Sequence, residues 1–110
     1  MTGLRTDISV EALLNSRMVK SPAGTTTDRQ VTLTDATVIE VTPTSGISAM
    51  HIFNNTGSTI NYGGSGVTAS TGVRLYNQST LVMQNPADDF ILHFFQNSGG
   101  DLTLDIVEFA

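Results

Sequence analysis

From residue 28 onward the chain adopts a hydropathy period of two, and this constrains its fold more than any other feature. QVTLT (30–34) alternates polar and apolar side chains, and TVIEV (37–41) is mostly β-branched. ISAMHIF (47–53) is rich in strand formers and ends on Asn54-Asn55-Thr56-Gly57, a strong turn signal. STINY, VRLY, TLVMQ, DFILHFF and DLTLDIVEF follow, punctuated by GGSG, NQS, NPAD and NSGG. About eight short strands with turn residues between them predict an all-β fold, because no helix-length periodic segment lies between strands. The expected architecture is an antiparallel β-sandwich of jelly-roll type, with immunoglobulin-like topology as the alternative. The pattern does not set the strand order.

The face of each strand can be read in places. In DLTLDIVEF, Leu102, Leu104, Ile106 and Glu108 fall on one side and Thr103, Asp105, Val107 and Phe109 on the other, so Asp105 is expected to face water. FILHFF (90–95) is apolar on both sides, which predicts a central strand buried on two faces or covered by the N-terminal arm or a neighbouring subunit.

Residues 1–27 differ from this body and are read as an arm. Ser9 can cap a short helix running to about Met18, with Val10, Leu13, Leu14, Arg17 and Met18 on one face and Ile8 packing on Leu13. A helix this short needs a surface to lie on. SPAGTTT (21–27) then reads as an extended connector. The expected organisation is therefore an arm, 1–27, followed by a β-sandwich domain, 28–110.

Charge divides along the same line. Residues 1–29 carry four of the five basic side chains, whereas residues 30–110 hold Arg74 alone against seven carboxylates, in a chain of net charge −5. An acidic body disfavours nucleic acid as a partner, because phosphate neutralisation by Lys and Arg supplies most of that affinity. The basic arm suits an acidic protein surface. No run approaches the roughly 18 apolar residues of a membrane span, and no signal-peptide h-region is evident, so assembly in a cytoplasm without membrane contact is expected. The chain has no cysteine, hence no disulfide framework and no thiolate site.

Candidate chemistry is sparse. His51 and His93 sit inside separate strands without the His-x-His pair of a metal-binding cupin, so hydrogen-bonded or interfacial histidines are expected and no metal or other cofactor. Asp88-Asp89 reads as a turn-closing pair, since adjacent strand residues point to opposite faces. GGSGV (63–67) has neither the helix of a nucleophile elbow nor the lysine of a phosphate loop. No catalytic residue is expected, and an enzyme is not expected. Phe53, Tyr62, Tyr76, Phe90, Phe94, Phe95 and Phe109 lack interleaved cations, so they read as core or subunit interface rather than a nucleic-acid stacking platform. A glycan-binding role for Tyr62, Tyr76 and the Asn-rich loops remains an alternative.

The stretch NYGGSGVTASTGVRL (61–75) resembles one found in small β-domains of tailed-bacteriophage structural proteins: a strand end, Gly-Gly-Ser-Gly-Val-Thr, small residues, Gly, and a strand carrying Leu. In pattern the resemblance spreads from about Val38 to Val107. Size, acidity and an N-terminal arm also resemble the jelly-roll cement, or decoration, proteins of such capsids. The resemblance implies a virion structural protein on the outer capsid surface, bridging neighbouring capsomers to stabilise the DNA-filled head. The major capsid protein is then the implied partner, with the copies paired or in trimers. A tail-fibre or other receptor-binding module is the alternative. On the arm-and-body reading, Leu4, Arg5, Ile8, Leu13, Leu14, Arg17 and Met18 are expected to contact the capsid protein. Phe94 and Phe95 are expected at a copy-to-copy interface.

Overall fold

The computed structural model describes residues 24–110. The arm residues Leu4, Arg5, Ile8, Leu13, Leu14, Arg17 and Met18, and the helix expected over them, lie outside the described residues. Eight strands follow: β1 (Thr26–Leu33), β2 (Ile39–Val41), β3 (Ala49–Phe53), β4 (Ile60–Gly63), β5 (Val73–Leu75), β6 (Thr80–Gln84), β7 (Leu92–Phe95) and β8 (Leu102–Phe109). β1 begins inside the connector read from the sequence, with Thr26 and Thr27 opposite Phe109 and Glu108.

The strands form two four-stranded antiparallel sheets. Sheet A has the order β1-β8-β3-β6 and sheet B the order β2-β7-β4-β5. Of the seven connections, six cross from one sheet to the other, and β4–β5 alone joins neighbours in the same sheet. The turn signal at 54–57 therefore makes a corner between sheets rather than a hairpin. β7 is an inner strand of sheet B, as FILHFF suggested.

The core lies between the sheets. Leu33, Met50, Ile52, Leu104 and Ile106 from sheet A meet Val41, Ile60, Leu75, Leu92 and Phe94 from sheet B. Each comes from alternate positions of its strand, the outcome expected of two sheets that each bury one face. β8 shows the inward set that the alternation predicts, with Leu104, Ile106 and Glu108 buried and Leu102 packed at the margin. Asp105 lies on the outer side, half-buried, and accepts a hydrogen bond from Gln30 Nε2 at 3.0 Å.

The two halves of the body repeat. Adding four to each strand number of sheet A, counted cyclically, yields the order of sheet B in reverse; at a spacing of 42 positions (54 to 96, 33 to 75) the β1–β8 register repeats in β5–β4 and the β3–β6 register in β7–β2, while β7–β4 is offset by two residues from β3–β8. Asn54 follows β3 and is fully buried; its Nδ2 donates to the carbonyls of Ser58 and Leu75, both at 2.8 Å. Gln96 follows β7, and its Nε2 donates to Gly100 and Leu33, both at 2.8 Å. The amide oxygen of Asn54 accepts from the N–H and hydroxyl of Thr56, and that of Gln96 from the N–H and hydroxyl of Ser98. Gly57 N–H donates to Asn77 Oδ1 and Gly99 N–H to Asp35 Oδ1, across opposite corners. Gly57 and Gly99 sit at φ 88° and 103°, a region that favours glycine, and Ala36 and Gln78 share positive φ as well. FNNTGS (53–58) and FQNSGG (95–100) are thus one corner device used twice.

Each amide satisfies one buried carbonyl, Leu75 or Leu33, and one partly buried carbonyl, Ser58 or Gly100, so truncation leaves them unpaired. Asn54→Ala and Gln96→Ala should each destabilise the body by about 3 kcal/mol, summing from four lost hydrogen bonds of which one is buried. Urea denaturation of the two variants checks this, and equal, near-wild-type midpoints would show that the corners are not bound by their amides.

Candidate interaction surface

Phe94 and Phe95 part company in the fold. Phe94 lies opposite Ile39 on β2 and Tyr62 on β4, inside the sandwich, and is fully buried. Its ring centroid is 6.0 Å from that of Tyr62. Phe94 has no surface to offer a second copy, and its expected place at a copy-to-copy interface is corrected to the core. Alternation turns Phe95 to the outer face of sheet B, where it is half-buried. There it stands opposite Asn61 on β4, and Asn61 stands opposite Arg74 on β5, so Phe95, Asn61 and Arg74 make one row across three strands.

A wall rises beside this row. β4 and β5 pair over three residues only, Ile60↔Leu75 to Tyr62↔Val73, after which residues 64–72 leave the sheet. Asn61 holds this excursion through Nδ2, which donates to Thr68 O at 2.8 Å and Thr71 O at 2.9 Å. Val67 is buried at 3% exposure, and Thr71 Oγ1 accepts from Thr68 N–H at 2.9 Å. Gly72 permits the closure: at φ 87°, a Cβ there would lie 2.6 Å from Tyr62 O and 2.7 Å from Val67 Cγ2. The Gly-rich stretch is therefore a braced excursion. Between it and the β7–β8 corner lies a recess of about 160 Å³ lined by Thr59, Asn61, Ala69, Arg74, Phe95, Gln96 and Asn97.

The histidines occupy equivalent positions on opposite outer faces. His51, on sheet A, packs against Phe109 with ring centroids 4.8 Å apart, while His93, on sheet B, has Nε2 3.6 Å from Glu40 Oε2 on the adjacent strand. Among the described residues no group of three or more His, Cys, Asp or Glu is placed to hold a metal ion. Asp88 braces a turn, accepting from Ser45 Oγ at 2.9 Å and Gly46 N–H at 3.0 Å. These two donors, the Gly46 N–H foremost, hold its carboxyl below the usual range. Asp101 accepts from the N–H of Asp35 at 3.1 Å. Val73, Tyr76, Val82, Phe90, Ile91 and Val38 are exposed apolar side chains.

Among the described residues one carboxylate is buried. Glu108 follows Leu104 and Ile106 on the inner face of β8, where Oε2 receives Arg29 Nη1 at 2.7 Å and Thr44 N–H at 2.9 Å, and Oε1 receives the Thr44 hydroxyl at 2.6 Å. Arg29 also donates to Thr42 O at 3.0 Å. The group ties β1 and β8 to the β2–β3 connection. Burial pushes the Glu108 carboxyl upward, but the Thr44 hydroxyl and N–H and the Arg29 charge outweigh it and leave the carboxyl below its ordinary value.

The chain matches no protein-family model and no curated protein. Among solved structures it is similar to a de novo designed double-stranded β-helix, determined in solution by NMR, with a TM-score of 0.54 and 18% identity over 74% of this chain and 97% of the design. At that identity the likeness concerns the fold alone. It accords with the repeated half-domains above.

Because the Glu108 carboxyl is depressed in the folded state, its stabilisation is complete above the unfolded value, about 4.3, and is lost as pH falls through the folded value below it. Glu108→Gln should cost about 2 kcal/mol at pH 7, leaving Arg29 without its partner. It should also flatten the fall in stability between pH 5 and pH 3. Urea midpoints across that range check both, and parallel pH profiles for wild type and variant would refute the assignment.

Proposed function

We propose that this chain is a jelly-roll virion protein that binds the outer surface of a tailed-phage capsid and bridges neighbouring capsomers. The observation that carries the reading is the stretch 61–75, which resembles phage structural β-domains and folds here as a braced excursion on an outer sheet face. Eight strands in two four-stranded sheets, with nearly every connection crossing between them, support the jelly-roll part of the reading.

The function is mechanical. A DNA-filled shell bears outward load, and many copies of a small protein resist it, each adding a modest interface. A standard interface buries roughly 1,600 Å² in total, and contact with two capsomers at once adds avidity without a large chain. The acidic body disfavours DNA and suits the outer surface. On this reading residues 1–20, with Leu4, Arg5, Ile8, Leu13, Leu14, Arg17 and Met18, grip the major capsid protein, and Phe95 remains available for contact between copies. A second reading, a receptor-binding module, is favoured by Tyr76, exposed beside Asn77 on the Asn-rich side.

Removing residues 1–20 should leave a folded β body that no longer decorates. Co-sedimentation with expanded shells of the encoding virus checks this: the full chain should saturate the shells, and the truncated chain should bind at least tenfold more weakly. Undiminished decoration by the truncated chain would remove the arm from the account. A glycan array that captures the full chain, without shell binding, would favour the receptor-binding reading.

A further inference from the structure

The internal repeat shows what the fold itself requires, and the recess on sheet B departs from it. By a shift of 42 positions in sequence, Thr32 stands for Arg74, Thr103 for Asn61, Phe53 for Phe95 and Asp101 for Thr59; Thr32 and Thr103 face each other as Arg74 and Asn61 do, but Phe53 stands opposite Asp105, so the row of three is not repeated on sheet A. Among the described residues no arginine faces that side, and an acid replaces a hydroxyl. β1 and β8 pair there over eight residues, from Thr26↔Phe109 to Leu33↔Leu102, leaving no excursion to form a wall. At Thr32 and Thr103 the fold is thus satisfied without an arginine, whereas sheet B sets Asn61, Ala69 and Arg74 around its recess; the recess of about 430 Å³ on sheet A lies further along β1 and β8, against Asp28, Gln30, Asp105 and Val107.

The charges set the chemistry. Residues 24–110 contain two arginines and no lysine, against eight carboxylates. Arg29 is committed to Glu108; Arg74 makes no ion pair among the described residues. Arg74, exposed and in no ion pair among the described residues, lines a recess together with half-buried Phe95 and with Asn97 and Thr59. Arginine presents a planar fork of donors matched to a carboxylate, and Phe95 offers apolar contact to a short methylene stem. The surrounding negative charge repels acidic partners generally, so the recess selects position rather than overall charge.

We propose that this recess receives a glutamate or aspartate side chain of a protein partner, its carboxylate on Arg74 and its stem against Phe95. The proposal rests on the capsid reading only in naming that partner as the capsid protein.

The test is a titration of the full chain with N-acetyl-glutamate methylamide, followed through the Arg74 Nε–H and the side-chain amides of Asn61, Gln96 and Asn97 by NMR. Saturable shifts at these groups are expected, at least tenfold weaker with the glutamine analogue and in Arg74→Gln, and partly restored in Arg74→Lys. Equal titration by the glutamine analogue, unchanged titration of Arg74→Gln, no saturable shift, or saturation by an oligosaccharide instead would each overturn the proposal. Co-sedimentation separates the two readings. If Arg74→Gln decorates shells as well as wild type, the recess is not the contact and the capsid reading stands. If wild type itself fails to bind shells, the capsid reading falls whatever the titration shows.

Discussion

The pairing of β8 with both β1 and β3 is the constraint on which the rest depends. β1 and β3 do not touch each other as ladder neighbours; β8 enters between them and completes sheet A. Its inner face brings Leu104 and Ile106 into the core, and the same alternation carries Glu108 inward at the end of the layer. A buried carboxylate without partners would be costly, and the Arg29–Thr44 set resolves that cost while fastening the β2–β3 connection to sheet A. Until β8 is seated, sheet A is two separate fragments, so the contacts that define the body are long-range ones. Such topologies fold slowly relative to helical chains, since loop closure precedes the reward of pairing.

The repeat explains how so few residues manage six crossings between sheets. At the corners after β1, β3, β5 and β7 the crossing leaves the carbonyls of Leu33, Ser58, Leu75 and Gly100 to be met by side chains. Asn54 and Gln96 answer this with the same four side-chain hydrogen bonds, backed by Thr56 or Ser98 and by a glycine at positive φ. Likeness to a designed double-stranded β-helix is intelligible in these terms, because a course traced twice needs one corner solution used twice.

Much of the fold was legible in the sequence, for identifiable reasons. Turn residues separate the strands cleanly, so the number of strands and the two-sheet class follow from local chemistry. The inward set of β8 follows from parity. Strand order does not, because alternation tells which face is buried but never which strand lies alongside, and the 54–57 turn reads alike as hairpin or corner. Phe94 and Phe95 are chemically equal and adjacent; only the register with Ile39 and Tyr62 assigns one to the core. Arg29, Thr44 and Glu108 are far apart in sequence, so their meeting leaves no local trace. The repeat did leave one, in FNNTGS and FQNSGG, but Asn for Gln, Thr for Ser and Ser for Gly conceal it unless the chain is compared with itself at that spacing. Arg74 was visible as an isolated cation, and the recess around it was not, since Phe95 at the end of β7 and Gln96 just after it come from elsewhere in the chain.

Function, on this account, sits where the repeat is broken. The corners and core serve both halves equally, while the excursion at 64–72 and the row Phe95–Asn61–Arg74 belong to one face alone, the kind of surface that docking to a fixed partner would use. The capsid-bridging reading is tested most directly by the copy number of the chain in purified particles of the encoding virus, measured by quantitative mass spectrometry against the major capsid protein. A bridging protein predicts hundreds of copies per particle in simple proportion to the capsid protein. A handful of copies would contradict it and assign the chain to a fibre or connector.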